Sequence, residues 1–459
     1  MKWLKSKSLR RLLWGIGGLT ISLLVFGLLQ LIEPVAIAPS AQGSQPQFAG
    51  RALLVASDAD MVATAYADGV LEQVPGIQDT LSIVNLPLTP DNPVVAQVPV
   101  SNSVQSWPQI IATSPDGTKA YVVEVRGQAP DNVQQYESVD TGMPTGSLVT
   151  VVDISNPTQP TVVESVPVGQ NPNHISISPD GRLLAIAVNE SGKELLIASL
   201  QPDGRIGKRF YFPATSLAAR EAVVESVSWH PSGRFLAVTL DNREVAFYDV
   251  QGNPTDNIRL TPHGQSIFVG NWLSLGRFTP DGHYYLIPDL KWRTRGQRLL
   301  DFLTNPKGEL IAIRFQDTPN TQPAIASKAS VGLSPEGFAL SPDGTLIATV
   351  NLRRTYLPNW LPAWRGRDRS SVSLVTLDSE SGQLTTVEEY GFEGLLPEDA
   401  VFDAEGKSLA IVIYNYRVPN PKTGEVQFWN VIRDPKPRLE LTGFKLEVVR
   451  GPHTMVLIK

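Results

Sequence analysis

Polar residues recur at one place in a repeated pattern of this chain, where they could form a ligand-binding ring. Six four-residue turns resemble Ser-Pro-Asp-Gly, and a polar residue stands nine positions after the glycine that ends each turn. These residues are Arg126, Glu190, Asn242, Lys291, Arg353 and Asn415. Equivalent positions in the units of a ring-shaped protein can face one opening, so we expect these side chains around the mouth of a central channel. Alternatively, each residue marks only the point where a strand ends and reaches solvent.

An insertion at residues 353–369, rich in arginine and tryptophan, could bind a partner. It contains five arginines together with Tyr356, Trp360 and Trp364. Arginine and aromatic side chains dominate interface hot spots, so Trp360, Trp364, Arg365 and Arg367 are predicted partner-binding residues. The same residue types suit a membrane surface with anionic headgroups. Alternatively, the loop folds over its own structural unit with its tryptophans packed.

Several other kinds of chemistry lack sequence support. The 459 residues include no cysteine, which excludes thiol nucleophiles, thiolate metal sites and disulfides. The G-x-S-x-G and H-E-x-x-H motifs, a phosphate-binding glycine-rich loop and an EF-hand loop are all missing from the sequence. A net charge of −6 gives no reason to expect nucleic acid. We expect neither a cofactor nor a metal, since no histidines show a short ligand spacing.

The repeated turns predict the architecture that positions these residues. Their glycines are Gly117, Gly181, Gly233, Gly282, Gly344 and Gly406, so the repeat lengths are 64, 52, 49, 62 and 62 residues. Proline presets the first turn position, Asp can bond the local backbone, and Gly accepts a positive φ. Apolar runs flank each turn, and a second pair of runs follows, which gives four strands per repeat. The sequence therefore predicts an all-β propeller of four-stranded antiparallel blades.

The chain ends predict how the ring closes. Residues 50–56 resemble the second strand of a blade, and residues 453–458 resemble a first strand without its turn. Pairing these two segments would give seven blades and remove the open edge between the first and last blades. Six or eight blades remain possible because the repeats are uneven. His453 corresponds in register to His174 and is a further candidate ligand-binding residue.

The two faces of such a propeller differ in their loops. The Pro-Asp-Gly turns share one face, and the long insertions 127–146, 292–308, 351–371 and 417–425 share the other. Binding residues concentrate on irregular loops held by a rigid scaffold. We therefore expect the functional site on the insertion-bearing face.

The N-terminus predicts export from the cytoplasm. A basic segment, residues 1–11, precedes an uncharged run at 12–32 that is long enough to cross a bilayer as one transmembrane helix. Positive charge before the run predicts that the propeller, residues 50–459, lies outside the cytoplasm as a membrane-anchored periplasmic or cell-surface domain. A cleaved signal peptide and a secreted protein are the alternative. Residues 33–49, rich in Pro, Ala, Ser and Gln, are predicted to form a flexible tether.

One repeat resembles a known family. It runs from the strand Val149-Thr150-Val151-Val152-Asp153, through Val166-Pro167-Val168-Gly169-Gln170-Asn171-Pro172, to the turn Ser178–Gly181 and then Asn189-Glu190. This order resembles the repeat of the YVTN and lactonase-type seven-bladed propellers. The resemblance implies the same fold over residues 50–459.

The resemblance also implies a candidate catalytic pair. In lactonase-type propellers an Arg-His pair opens one blade and a Glu ends its second strand, and these groups assist lactone chemistry. The matching residues here are His174 and Glu190, whereas the arginine position holds Asn173. Arg126, Arg243 or Arg353 could replace that guanidinium if a loop brings it near. The nominal hairpin register places His174 opposite Ile186, about 13 Å of strand from Glu190.

Three functional hypotheses follow. We favour a membrane-tethered extracytoplasmic propeller that serves as a ligand- or protein-binding scaffold of the cell envelope. The first alternative is a lactonase-like hydrolase that uses His174 and Glu190. The second is an envelope sensor or assembly factor that docks through its Arg/Trp loops.

Overall fold

The protein is a seven-bladed all-β propeller, as the repeat predicts. The computed structural model describes residues 35–41, 46–62, 64–89, 93–292, 305–318, 321–356, 369–414 and 422–459. Within these ranges seven antiparallel sheets contain at least four strands each. The predicted transmembrane helix at 12–32 lies outside the described residues. Among the described helices, none has the length and apolar character needed to cross a membrane.

Each blade runs from an innermost to an outermost strand in chain order, except where the ring closes. Blade 1 contains β29 (Pro452–Ile458), β1 (Ala52–Ser57), β2 (Thr80–Asn85) and β3 (Val95–Pro99). Blade 2 contains β4 (Ile111–Thr113), β5 (Lys119–Val123), β6 (Leu148–Asp153) and β7 (Thr161–Pro167). Blade 3 contains β8 (Pro172–Ile177), β9 (Leu183–Val188), β10 (Leu195–Leu200) and β11 (Ile206–Phe212).

The other four blades repeat this order. Blade 4 contains β12 (Val224–Trp229), β13 (Phe235–Leu240), β14 (Glu244–Asn253) and β15 (Asn257–Pro262), with β16 (Ile267–Phe268) also paired to β14. Blade 5 contains β17 (Arg277–Phe278), β18 (Tyr284–Asp289), β19 (Glu309–Arg314) and β20 (Ala324–Ser330). Blade 6 contains β21 (Pro335–Leu340), β22 (Leu346–Asn351), β23 (Arg369–Leu377) and β24 (Leu384–Glu393). Blade 7 contains β25 (Ala400–Phe402), β26 (Ser408–Ile413), β27 (Thr423–Ile432) and β28 (Arg438–Val449). In the described part of the chain, three short helices lie in connections: α1 (Ala65–Asp68), α2 (Val139–Gly142) and α3 (Ala214–Ala218).

The recurrent turns hold neighbouring blades together as well as their own hairpins. In the turn of blade 3, the Ser178 hydroxyl and the backbone N–H of Arg182 both donate to Asp180 Oδ1, at 2.6 and 3.1 Å. Gly181 has a φ of +70°, and a Cβ on it would lie 2.8 Å from Cδ of Pro115 in the turn of blade 2. Glycine is therefore required both for the turn conformation and for contact with the preceding blade.

The two ends of the chain close the ring as predicted. β29 pairs antiparallel with β1, with Ala52 opposite Ile458 and Val55 opposite Met455. Every residue of β1 is buried. Blade 1 therefore combines one C-terminal strand with three N-terminal strands, and no free edge remains between blades 1 and 7.

The segment before the propeller is docked against it wherever the structure describes it. Ala38 donates its backbone N–H to Gly391 O on β24, and Leu441 of β28 donates to Pro39 O, at 2.9 and 2.8 Å. Further on, Phe48 is buried with its ring centroid 5.4 Å from that of Phe428. The described part of this segment is therefore held against the propeller, whereas the sequence predicted a flexible tether at residues 33–49. The physical reason is that β24 and β28, as outermost strands, offer free backbone groups to a passing segment.

Candidate ligand pocket

A pocket of about 240 Å³ opens on the insertion-bearing face at the end of the central channel. Its walls come from the starts of innermost strands, from links between blades and from the insertions of blades 1, 2, 5 and 6. A concave site at the axis of a rigid propeller is a default location for ligand binding. The pocket therefore lies on the face that the loop lengths indicate.

Four polar residues of the pocket occupy one register position. Each stands five residues before the first residue of a recurrent turn, at or just before the start of an innermost strand. They are Asn173, Glu225, Glu336 and Glu398. Because innermost strands surround the axis, equivalent positions of blades 3, 4, 6 and 7 converge there. The repeat itself thus brings three glutamates and one asparagine together.

Glu336 and Glu398 form a hydrogen-bonded carboxyl pair. Burial raises the pKa of Glu336 to about 7, although the hydrogen bond from Glu398 opposes that rise. The pKa of Glu398 lies well above its usual range because of burial and then the charge of Glu336. Glu398 is therefore the protonated donor and Glu336 the acceptor that ionises near neutral pH. Such a pair can accept a proton at one carboxyl and donate one from the other.

Close backbone contact between blades 6 and 7 holds this pair in place. A Cβ at Gly337, the residue after Glu336, would lie only 2.1 Å from the backbone oxygen of Glu398. Any residue other than glycine at 337 would force the two innermost strands apart. The glycine thus allows the carboxyls to meet.

Arg277 crosses the channel nearer the turn face. Its guanidinium Nη1 donates to Phe338 O at 2.6 Å, and its Nε donates to Gln109 Oε1 at 3.2 Å. Its Nη2 lies 3.7 Å from Oδ1 of Asp399, which is fully buried. Burial raises the pKa of Asp399 to about 7, and the charge of Arg277 opposes that rise. The side chain of Arg277 therefore links blade 5 to blades 2, 6 and 7.

Aromatic side chains form much of the pocket wall. The ring centroids of Trp272 and Trp292 lie 5.7 Å apart, and those of Trp292 and Tyr356 lie 5.8 Å apart. The Trp292 indole donates to Ser334 Oγ at 3.0 Å, and the Trp107 indole donates to Asn242 Oδ1 at 3.3 Å. These bonds fix the indole orientations, so the pocket presents preformed aromatic faces.

Polar atoms in the same wall lack protein partners. Gln105 Oε1, Gln105 Nε2 and Asn173 Oδ1 are buried and make no hydrogen bond within the described part of the chain. Buried polar atoms are almost always hydrogen-bonded. These three atoms are therefore available to a ligand or to water.

The predicted ring of ligand-binding residues is brought together only in part. Arg126 and Asn173 line the pocket, and Asn242 holds the Trp107 indole. Burial lowers the pKa of Arg126, whose Nη2 donates to Asp140 O at 2.6 Å. Three other predicted ligand-binding residues do not line the pocket. Lys291 pairs with Glu309 at 2.5 Å. Arg243 is exposed, and Arg353 is partly buried beside the pocket residue Leu352. Asn415 and the predicted partner-binding residues Trp360, Trp364, Arg365 and Arg367 lie outside the described residues.

His174 and Glu190 do not line this pocket. His174 is fully buried, its Nδ1 accepts the Val227 N–H at 3.3 Å, and burial followed by the charge of Arg277 lowers its pKa to about 3. It pairs with Ala187 rather than Ile186, because the register shifts by one between Pro172 and His174. The Glu190 carboxylate instead accepts bonds from Lys193 Nζ at 2.6 Å and the Gln170 N–H at 3.0 Å, and the hydrogen bond from Lys193 lowers its pKa.

His453 is likewise enclosed by protein. It is fully buried, and its Nε2 lies 2.7 Å from Oδ1 of Asn102. Burial lowers its pKa to about 3. In the structure it holds β29 against the connection that follows β3.

Glu225, Glu336 and Glu398 are not among the predicted site residues. The predicted ring lies at the ends of second strands, nine residues after each turn glycine, whereas the pocket uses the starts of first strands. A usable signal was present, because the position five residues before the turn is occupied by Gln, Asn, Glu, Ser, Glu and Glu in blades 2 to 7. Polar residues at the start of an otherwise apolar buried strand indicate a site at the channel.

Solved structures with the same fold include named lactonases. Two candidate 6-phosphogluconolactonases, from Bacteroides uniformis and Bacteroides fragilis, align with TM-scores of 0.56 and 0.57 at 16% and 14% identity. The alignments cover 89% and 91% of this chain and 99% and 100% of those chains. A periplasmic gluconolactonase from Pseudomonas aeruginosa aligns with a TM-score of 0.56 at 16% identity, covering 89% of this chain and 99% of its own. No protein-family model and no curated protein matches the chain. The likeness establishes the lactonase-type propeller fold, and activity must be argued from the pocket.

Proposed function

We propose that the pocket binds a small polyhydroxylated lactone and hydrolyses it, with Glu336 as general base and Glu398 as general acid. The observation that supports this most directly is the carboxyl pair in which the partly buried Glu336 has a pKa of about 7. A general base is most effective when its pKa lies near the working pH. The pair lies among aromatic faces and unpartnered amide atoms, which together suit the apolar and hydroxyl surfaces of a sugar-derived ring.

The proposed reaction conserves protons. Glu336 takes a proton from water as the hydroxide adds to the lactone carbonyl. The tetrahedral intermediate collapses, the ring C–O bond breaks, and Glu398 donates its proton to the departing ring oxygen. The proton on Glu336 then passes along the hydrogen bond to Glu398, which restores the starting state. Arg126, the basic side chain of the pocket wall, is available to stabilise the oxyanion.

The charge of the pocket favours one class of lactone. Among the described residues of the wall, four carboxyl side chains face one basic side chain, Arg126; the carboxyls are those of Asp140, Glu225, Glu336 and Glu398. A phosphate group would be repelled by this excess of carboxyls. We therefore infer an uncharged or cationic substrate in preference to a phosphorylated one. The volume of about 240 Å³ suits a single ring.

A lactone panel tests the proposal. Purified protein should hydrolyse uncharged aldonolactones faster than 6-phosphorylated ones, with a rate that rises with pH through about 7 as Glu336 ionises. Glu336→Gln should lower kcat by about 10²–10⁴, as loss of a general base does. Glu190→Gln is the matched control, since that carboxyl lies outside the pocket, and it should keep full activity. Absence of turnover across the panel, or an equal loss in both variants, would refute the proposal.

A binding module is the second candidate function. The unpartnered atoms of Gln105 and Asn173 favour ligand binding whether or not turnover follows. Tight binding of a neutral sugar acid or lactone without hydrolysis, weakened in Trp272→Ala, would establish this alternative.

We further infer from the sequence that residues 12–32 anchor the propeller outside the cytoplasm, and that Trp360, Trp364, Arg365 and Arg367 contact a partner in the cell envelope. The supporting observations are the basic segment before the apolar run and the arginine–aromatic composition of the insertion. Fractionation of cells that express the full chain tests the anchor. Recovery in the soluble fraction would contradict it.

A further inference from the structure

A second group of acids lies in blade 1, apart from the pocket. Asp58 and Asp60 follow the end of β1, and Asp79 directly precedes β2. One carboxylate oxygen from each residue lies within 4.8 Å of those of the other two. The three side chains are 0%, 4% and 1% exposed. Three carboxyls are thus enclosed together with almost no contact with solvent.

The protein orients these carboxyls but leaves one oxygen without a donor. Asp58 Oδ2 accepts the Ser103 hydroxyl and the Val104 N–H, both at 2.9 Å. Asp79 accepts the N–H groups of Ala59 and Asn102 at 2.9 and 3.2 Å. Asp60 Oδ2 accepts the Ala129 N–H, whereas its buried Oδ1 has no hydrogen-bond donor among the described residues.

Among the described residues, no basic side chain neutralises the group. Within the described ranges, no Lys or Arg forms an ion pair with Asp58, Asp60 or Asp79. The nearby Arg450 donates to the backbone oxygens of Glu72 and Met61 instead. Buried carboxylates without a partner are strongly disfavoured, so this arrangement calls for a cation or for bound protons.

We propose that Asp58, Asp60 and Asp79 form a binding site for a divalent cation of the calcium type. Hard cations prefer oxygen ligands, and Ca²⁺–oxygen distances are about 2.4 Å. Two oxygens bound to one such ion are therefore at most about 4.8 Å apart, which is the limit that these oxygens meet. The donor-free oxygen of Asp60 supplies an unused ligand atom, and waters would complete the coordination shell.

Without a bound cation, these carboxyls hold their protons to a higher pH than usual. Burial and then the charges of Asp58 and Asp79 raise the pKa of Asp60 to about 10. Burial likewise raises the pKa of Asp79 well above its usual range, and the charge of Asp58 adds to that rise. A bound divalent cation would reverse these shifts, because it favours the ionised carboxylates.

Such an ion would stabilise a wall of the pocket. Asp58 and Asp79 accept hydrogen bonds from the backbone N–H groups of Asn102 and Val104 and from the Ser103 hydroxyl, and the pocket residues Gln105 and Trp107 follow directly. Asp60 holds Ala129 in the insertion of blade 2. A bound cation would therefore connect blade 1, where the ring closes, to residues 102–104 and to the insertion of blade 2, both of which lie beside the pocket. The metal site itself does not depend on the proposed lactonase activity.

Calcium titration of the full chain tests the proposal. After treatment with EDTA and its removal, isothermal titration at pH 7.5 should show one Ca²⁺ bound per chain, and excess Ca²⁺ should raise the thermal midpoint by several degrees. Hydrogen exchange at residues 102–104 and 129 should slow when Ca²⁺ is added. Mg²⁺ is a competitor with a stricter octahedral demand and should bind at least tenfold more weakly.

Two Asp→Asn variants decide which residues are responsible. Asp60→Asn keeps the shape of the side chain but removes one charge, and it should weaken Ca²⁺ binding at least tenfold. Asp68→Asn, an exposed acid on α1, is the matched control and should bind as the wild type does. If Asp60→Asn does not fold, Asp79→Asn and the hydrogen exchange of the wild type replace it. No binding by the wild type, or equal binding by wild type and Asp60→Asn, would overturn the proposal and indicate carboxyls that hold protons.

Discussion

Replacing Glu336 by Gln should stabilise the protein, and only at neutral to alkaline pH. The folded-state pKa of Glu336 is about 7, whereas its ordinary value is 4.5. The folded state therefore binds this proton more tightly than the unfolded chain does. The resulting stabilisation is fully present below pH 4.5 and is lost as the pH rises through about 7. Gln cannot ionise, so the variant escapes this loss.

The size of the effect follows from the shift. Each pKa unit corresponds to about 1.36 kcal/mol, so a rise from 4.5 to about 7 is worth about 3 kcal/mol. Because Glu336 keeps some contact with solvent, solvent screening reduces this to about 2–3 kcal/mol. The free energy of unfolding of Glu336→Gln should therefore gain about 2–3 kcal/mol relative to wild type between pH 4 and pH 8.

Urea unfolding of both proteins at pH 4, 6 and 8 measures this difference. Glu190→Gln is the control with the opposite sign, because the hydrogen bond from Lys193 lowers the pKa of Glu190. That variant should lose a little stability, less than about 1 kcal/mol, as the pH rises. A difference between Glu336→Gln and wild type that stays constant from pH 4 to pH 8 would show that Glu336 is not a buried group with a raised pKa.

Two further changes test other parts of the molecule. Arg277→Met removes the guanidinium beside the buried Asp399, whose pKa is already raised to about 7. The free energy of unfolding should therefore fall by about 3–5 kcal/mol at pH 8. The loss should be smaller at pH 5, because Asp399 holds a proton there. Urea unfolding at both pH values checks this, and an equal loss at both would count against the ion pair. Replacing Trp360, Trp364 and Arg365 together with Ala should leave the circular dichroism spectrum unchanged and weaken recovery of an envelope partner in pull-down experiments. An unchanged set of recovered proteins would remove the partner hypothesis.

The fold could be predicted from sequence because its signals are local and repeated. Each Pro-Asp-Gly turn sets one hairpin, and six copies at similar spacing predict blades before any long-range contact is known. The closure of the ring followed from matching residues 50–56 and 453–458 to strands of the best-defined repeat. The pairing of Ala52 with Ile458 confirms that match.

The pocket could be predicted only in part because it depends on which strand lies at the axis. Arg126 and Asn173 were identified, but the carboxyl pair of Glu336 and Glu398 was not. Those two residues stand out because of their hydrogen bond and their burial. Neither property can be read from the residue type alone. The proximity of Asp58, Asp60 and Asp79 could not be predicted for a similar reason, since Asp79 is separated from Asp60 by an insertion whose path the sequence does not reveal.

The docked segment before the propeller was missed for a different physical reason. Residues 35–41 have no apolar periodicity, so their composition predicts a linker. Their partners are the outer edges near Gly391 and Leu441, more than 300 residues away along the chain. A segment that pairs through isolated bridges is specified by the edge that accepts it rather than by its own sequence.

The pairing of β29 with β1 in blade 1 has a consequence for biosynthesis. Residues 452–458 leave the ribosome after every other described strand of the propeller, so a growing chain can assemble six blades but must keep the β29 side of β1 unpaired until those residues emerge. Until then the backbone N–H of Met455 is missing from Asp399, and the imidazole of His453 is missing from Asn102. A chain that stops before Pro452 therefore exposes a bare strand edge and uncompensated polar groups in its interior. Chaperones and proteases can recognise both features, which makes the presence of β29 a condition for a complete ring.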